Sequence, residues 1–165
     1  RRSTRQTIER LLATPGAVNA YEDFILLRGE GIVDEKMLGA VASILSASPI
    51  MGRDRPLFAT ALLDDKNIRV SGRSDGSHAQ VMDMGKIMSE AASKVGGTGG
   101  GHDAAAGATV PRKRLMEFFE EVSRLMAECE RQASMQSCPY PMMGHRWPGR
   151  SSTRSIRTTS SGSGD

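Results

Sequence analysis

Two arginines and a serine alternate along one short segment, Ile68-Arg69-Val70-Ser71-Gly72-Arg73. In a β-strand, residues two apart share a face, so Arg69, Ser71 and Arg73 stand together and Ile68, Val70 and Gly72 face the other way. Two guanidiniums flanking a hydroxyl make a donor set of the kind that phosphate oxygens accept from. The same alternation also describes the solvated side of an ordinary edge strand. The second stretch with chemical potential is Gly96-Gly97-Thr98-Gly99-Gly100-Gly101-His102-Asp103-Ala104-Ala105-Ala106-Gly107. Its residues cannot build an apolar core, and glycine serves where a backbone needs unusual dihedrals or a close approach. Successive glycines can aim several N–H groups into one concavity, a nest that suits an oxyanion. His102 would stand at the mouth of that nest, able to hydrogen-bond a phosphoryl oxygen or to pass a proton near neutral pH. Phosphate binding is the chemistry these two stretches share.

Other chemistries find less support. Gly99-Gly100-Gly101-His102-Asp103-Ala104 formally fits a dinucleotide fingerprint, but that motif needs a strand before it and a helix after it. Here a helical pattern precedes and a strand-like segment follows. No Walker-type loop is present. The three histidines, His78, His102 and His145, have no partners at metal-ligand spacing. Cleavage of a phosphodiester by two metal ions needs several Asp and His ligands, which this chain does not supply. The expectation is a domain that binds rather than cuts, with no cofactor of its own.

The elements that must position these residues follow from periodicity. Ser3 to Ala13 reads as a short charged helix ending before Pro15-Gly16, and Tyr21 to Arg28 is strand-like. Asp34 is a plausible N-cap for a helix reaching Ser48, with Met37, Leu38, Val41, Ile44 and Leu45 at helical spacing. Leu57 to Leu63 is an apolar run of strand length, and Asp64-Asp65-Lys66-Asn67 has turn chemistry, so a hairpin joins it to the Arg69 segment. Met84, Ile87, Met88, Ala91, Ala92 and Val95 trace the stripe of a helix from about Gln80 to Val95, which Gly96-Gly97 would stop. Ala108-Thr109-Val110 suggests a short strand. Pro111 suits the first position of a last helix, whose stripe is Leu115, Phe118, Phe119, Val122, Leu125, Met126 and Cys129. The fold class is α/β with α+β character: a small mixed sheet flanked by amphipathic helices, with a disordered C-terminal tail.

At 165 residues and 38% hydrophobic content the chain suits one domain with appendages. Seven aromatic residues point to a core of Leu, Ile, Val, Met and Ala. The net charge of +3 arises wholly in the tail from Ser134, where four arginines meet one acid, while residues 1–133 are neutral. Any anion binding must therefore come from a local arrangement. No segment approaches a membrane span, no secretory signal opens the chain, and two cysteines do not make a disulfide framework, so a reducing cytoplasm is expected. Cys138, His145 and Trp147 lie in the Ser/Arg-rich tail without a second pair of metal ligands. The opening Arg1-Arg2-Ser3 suggests a fragment. The expected division is residues 1–29 as a linker and helix from a missing upstream domain, 30–133 as the binding domain, and 134–165 as tail.

The order Val70-Ser71-Gly72-Arg73, a helix, then the glycine run with His102 and Ala104-Ala105-Ala106-Gly107 resembles the DHHA1 domain, the C-terminal domain of DHH-superfamily phosphoesterases. The likeness covers roughly residues 30 to 132, includes Gly39-Ala40-Val41-Ala42-Ser43-Ile44-Leu45, and is greatest to archaeal RecJ-like single-strand exonucleases. The resemblance implies that Ser71 and Arg73 contact phosphate and that Gly99, Gly100, Gly101 and His102 contact the nucleic-acid backbone. It implies single-stranded DNA or RNA as partner, together with an upstream DHH domain carrying manganese or magnesium. The Asp-His-His motif of that domain is absent here, and the tail has no counterpart in the family pattern. Two other readings share the motif: an RNA-binding accessory domain of the alanyl-tRNA synthetase type, and a module acting on nanoRNA or cyclic dinucleotides. In the synthetase branch the residue after the glycines is not histidine, so His102 favours the phosphoesterase branch.

Overall fold

A computed structural model of the chain describes residues 2–51, 55–74 and 82–137. Of the tail expected at 134–165, residues 134–137 continue the last helix instead, and 138–165, with Cys138, His145 and Trp147, lie outside the described residues. Six strands form one mixed sheet in the order β1-β2-β3-β4-β6-β5. They are β1 (Val18–Ala20), β2 (Ile25–Arg28), β3 (Leu57–Leu62), β4 (Asn67–Arg73), β5 (Thr98–Gly101) and β6 (Ala105–Pro111). Only β2 and β3 run parallel. A parallel pair cannot be joined by a tight turn, and the crossover between them carries α2 (Leu38–Ser46). The other helices are α1 (Thr4–Ala13), α3 (Met84–Lys94) and α4 (Leu115–Ser137). The expected α/β class with a small mixed sheet and flanking amphipathic helices is what the chain adopts.

The sheet buries both faces unequally. On one face Leu26, Phe58, Ile68, Val70, Ala108 and Val110 pack against the Met84, Met88, Ala91 stripe of α3 and the Phe118, Phe119, Val122 stripe of α4. On the other, Leu11 of α1 and Leu38, Val41 and Leu45 of α2 pack over Ile25, Leu27, Leu57, Ala59 and Ala61. That second core stops at β3. Beyond it the same face of β4, β6 and β5 carries Arg69, Ser71, Arg73, Gly107 and Gly100, and this is where the groove described below opens.

Several elements depart from expectation. Residues 2–29, expected as a linker and helix, pack into the body: β1 and β2 extend the sheet and Leu11 and Ala17 lie in its core. Asp34 does not cap α2; its carboxylate accepts from the Lys36 N–H in a turn of its own, and the helix starts only at Leu38. The N-cap of α3 is Asp83, which accepts from the Lys86 N–H, so that helix begins later than expected. Pro111 closes β6, and a 3-10 turn over Arg112–Arg114 intervenes before α4. The core is more aromatic than seven such residues imply. Phe24, Phe58, Phe118 and Phe119 are all fully buried. They form one cluster, with ring centroids 5.1 to 5.7 Å apart, a spacing that favours edge-to-face and offset pairs. No described helix is long and apolar enough to cross a membrane.

The largest departure is the glycine run. It is not a nest but the edge strand β5, extended and paired antiparallel with β6 through Thr98↔Thr109, Gly99↔Ala108, Gly100↔Gly107 and Gly101↔Ala106. Gly96 does stop α3 as expected, at φ +79°. The glycines that follow serve a close helix–strand contact. A Cβ on Gly99 would stand 2.6 Å from the Met88 carbonyl oxygen of α3, and one on Gly85 of α3 would collide with the Gly101 carbonyl. The helix is also tied to the end of β5, because its Met84 and Gly85 N–H groups donate to the carbonyls of Asp103 and His102.

Candidate functional site

Arg73 is the centre of the site. The β4 alternation puts it on the face that α2 covers, at the margin of that helix, and its guanidinium is half-buried there. Nε donates to Ser43 Oγ at 3.0 Å, Nη1 to the Gly72 carbonyl at 2.8 Å, and Nη2 to the Gly39 carbonyl at 3.3 Å. Gly39 admits this approach, since a Cβ there would sit 3.3 Å from Nη2. Burial pushes the Arg73 guanidinium below its ordinary pKa, yet an arginine stays protonated at neutral pH. All of its acceptors are neutral, and no carboxylate pairs with it among the described residues. A half-buried cation without a counter-ion favours an incoming anion.

Ser71 stands one pleat away, 7% exposed. With Arg73 it lines a groove of about 470 Å³. The floor is bare. In register, Ser71 pairs with Gly107 and Gly107 with Gly100, so one row across three strands carries a single hydroxymethyl group. A Cβ on Gly100 would meet nothing within 4 Å, so this glycine, unlike Gly99, faces open space. Glu35 and Lys36 form the rim beside α2, and Gly101 and Ala105 the far side.

Of the residues expected from sequence, Ser71, Arg73, Gly100 and Gly101 come together in the groove. Gly99 turns toward α3 instead. His102 is exposed in the β5–β6 turn, its N–H donating to the Ala105 carbonyl at 2.8 Å; it follows Gly101 but does not line the groove. Sequence reasoning did not find Gly39, Ser43, Lys36 or Gly107 as parts of the site. Their contribution depends on how α2 and β6 pass β4, and no local spacing signals it.

Ser43 makes a direct test of how Arg73 is held. Ser43→Ala removes the acceptor on Nε, and a hydrogen bond to a charged group is worth about 1.5 kcal/mol or somewhat less at an exposed site. Phosphate-ligand affinity is expected to fall roughly three- to tenfold, with the melting temperature unchanged because Ser43 is exposed. Titration beside thermal melting checks both.

A family model for the DHHA1 domain matches residues 21–128. The chain belongs to the DHHA1 family. Two solved structures share the fold of this DHHA1 domain, and a third is more distantly similar. The C-Ala domain of alanyl-tRNA synthetase from Aquifex aeolicus is 20% identical with a TM-score of 0.50, the match covering 68% of this chain and 96% of that one. A DHH-domain member of the s1p family of ribosomal proteins is 20% identical with a TM-score of 0.51, over 74% of this chain and 30% of that chain. A pGpG-specific phosphodiesterase from Vibrio cholerae is 15% identical with a TM-score of 0.45, over 78% of this chain and 38% of that one. The chain thus spans about a third of the length of the last two. A search among curated proteins gives no match. DHHA1 domains occur in DHH-family proteins, and the manganese or magnesium expected from the sequence is assigned to an upstream DHH domain. Among the described residues no group of three His, Cys, Asp or Glu could hold a metal ion. The groove carries guanidinium, hydroxyl and ammonium groups and a single carboxylate, Glu35, at its rim, a set that does not fit a divalent cation.

Proposed function

We propose that the groove holds the phosphate backbone of single-stranded nucleic acid, serving a phosphodiesterase centre of the RecJ-like kind whose metal-bearing DHH domain lies outside this chain. The observation that carries this reading is the Arg73 guanidinium, fixed by neutral acceptors alone at the wall of a groove. A phosphate oxygen accepting from it and from Ser71 supplies the missing negative charge. Among the described residues no aromatic side chain lines the groove, so base stacking is not what they offer. Binding through phosphates is insensitive to sequence and weakens as salt rises. The bare Ser71–Gly107–Gly100 floor suits a backbone that must approach closely.

Fluorescence anisotropy with labelled single-stranded DNA, single-stranded RNA, a folded tRNA and a dinucleotide tests the reading. Single strands are expected to bind with an affinity that falls linearly in log–log salt plots. Tighter binding of tRNA would move the assignment to an RNA-binding accessory domain of the synthetase type. Equal affinity for the dinucleotide would move it to a small-molecule module. His102 stands in the turn after Gly101, beside the groove and not in its lining, where a strand running on past Gly101 would meet it, so His102→Ala is expected to weaken single-strand binding about tenfold, the loss of one hydrogen bond to a charged group. Because the side chain is exposed, melting should not change. Unchanged binding would remove His102 from the site.

A further inference from the structure

Besides Arg73 and Lys36, a further cation lines the groove, Arg69. Arg69 lies on the same face of β4 as Arg73, four residues earlier, which at about 3.3 Å per residue separates their Cα atoms by about 13 Å. The Arg73 guanidinium is held between α2, through Ser43 and Gly39, and the carbonyls of Gly72 and Ala106. Arg69 has a different anchor farther along β6: its Nη1 donates to Thr109 Oγ1 at 3.3 Å. The guanidinium lies beside Gly107, where a Cβ would stand in ordinary contact, 3.8 Å from Arg69 Nη2. No carboxylate pairs with Arg69 among the described residues. The two arginines thus rise from the rows on either side of Ser71–Gly107–Gly100, Arg73 opposite Ala105 and Arg69 opposite Thr109. That row runs out at β5, the edge of the sheet, where the face of Gly100 is open.

We propose that Arg69 is a second phosphate contact, so that the groove takes a continuous phosphodiester chain laid over the glycine row rather than a single phosphate group. This rests on the phosphate reading of the groove and adds a length requirement to it: a ligand must carry at least two phosphates, separated along its backbone, to engage both arginines. Arg73 acts on any phosphate ligand. Arg69 acts only on a chain long enough to reach it, and therefore sets preference for oligonucleotides over dinucleotides.

The test uses the full chain and two probes, a single-stranded decanucleotide and a dinucleotide with one bridging phosphate, each titrated over a range of salt. Arg69→Gln is expected to weaken decanucleotide binding about tenfold and to flatten its log–log salt slope by about 0.7, the value for one phosphate contact on a single strand. Dinucleotide binding should stay as it was. Arg73→Gln should weaken both. Arg69→Lys, which keeps the charge, should restore the salt slope. An unchanged decanucleotide slope in Arg69→Gln, or an equal loss for both probes, overturns the second contact. Failure of Arg73→Gln to weaken either probe overturns the phosphate reading itself, so the two failures are distinguishable.

Discussion

Arg73→Ala is expected to weaken single-stranded nucleic-acid binding by about 10- to 100-fold while the domain stays folded. The magnitude follows from the loss of a charged hydrogen-bond donor, about 1.5–3 kcal/mol. The direction follows from geometry. Arg73 spends its protein hydrogen bonds on Ser43 and the carbonyls of Gly39, Gly72 and Ala106, all neutral, so its charge is available to a ligand. Truncation leaves those acceptors facing the open groove, where water can replace the guanidinium, and the core beneath is formed by Val70 and Ile68 on the opposite face. Arg73→Lys should recover only part of the loss. An ammonium keeps the charge but cannot reach the Ser43 hydroxyl and the Gly39 carbonyl from one planar fork, so it arrives without the fixed orientation. Anisotropy titrations and thermal melts of the three proteins decide the matter. Equal affinity in all three would mean that the buried cation is structural, and the groove would lose its functional reading.

How much of this was legible in the chain depends on whether the signal was local. The alternation of Asn67–Arg73 and the stripe of Leu115–Met126 are local patterns, and both elements form where the periodicity places them. The face shared by Arg69, Ser71 and Arg73 is therefore read directly. The glycine run was legible as a place of close approach but not as a strand. Glycine has the weakest strand preference of any unrestrained residue, so nothing within Thr98–Gly101 signals extension. What makes it a strand is β6, whose Ala105–Pro111 offers a full partner edge, and α3, whose Met88 backbone leaves no space for side chains. The expected nest required carbonyls and N–H groups curled into one concavity; pairing with β6 straightens them. The support of Arg73 was hidden for the same reason. Gly39 and Ser43 are 34 and 30 residues away in the chain, and only the crossover through α2 brings them to β4.

That division among the glycines yields the sharpest contrast the domain offers. Gly99→Ala and Gly101→Ala should destabilise the fold, and Gly100→Ala should not. A Cβ on Gly99 would overlap the Met88 carbonyl at 2.6 Å, an overpacking that costs about 1–3 kcal/mol. Gly101 has φ +149° and would bring its Cβ within 2.6 Å of the Ala105 carbonyl oxygen. A side chain there adds backbone strain of about 1–3 kcal/mol to the clash. At roughly 4 °C per kcal/mol for a domain of this size, melting temperatures should fall by about 4–12 °C for Gly99→Ala, and further for Gly101→Ala. Gly100 meets nothing within 4 Å, so Gly100→Ala should melt as the parent does or slightly higher, since alanine loses less chain entropy on folding. Its methyl group would nonetheless stand on the floor of the groove, and Gly100→Val would fill more of it. Ligand affinity is expected to fall stepwise from glycine to alanine to valine at 100 while stability holds. At 99 the melting temperature falls first, and affinity follows only through the displaced strand. If Gly100→Val binds like the parent, no ligand crosses the Ser71–Gly107–Gly100 row. If Gly99→Ala melts like the parent, the close docking of α3 on β5 is not what the glycines are for, and their number in this strand must answer to the ligand instead.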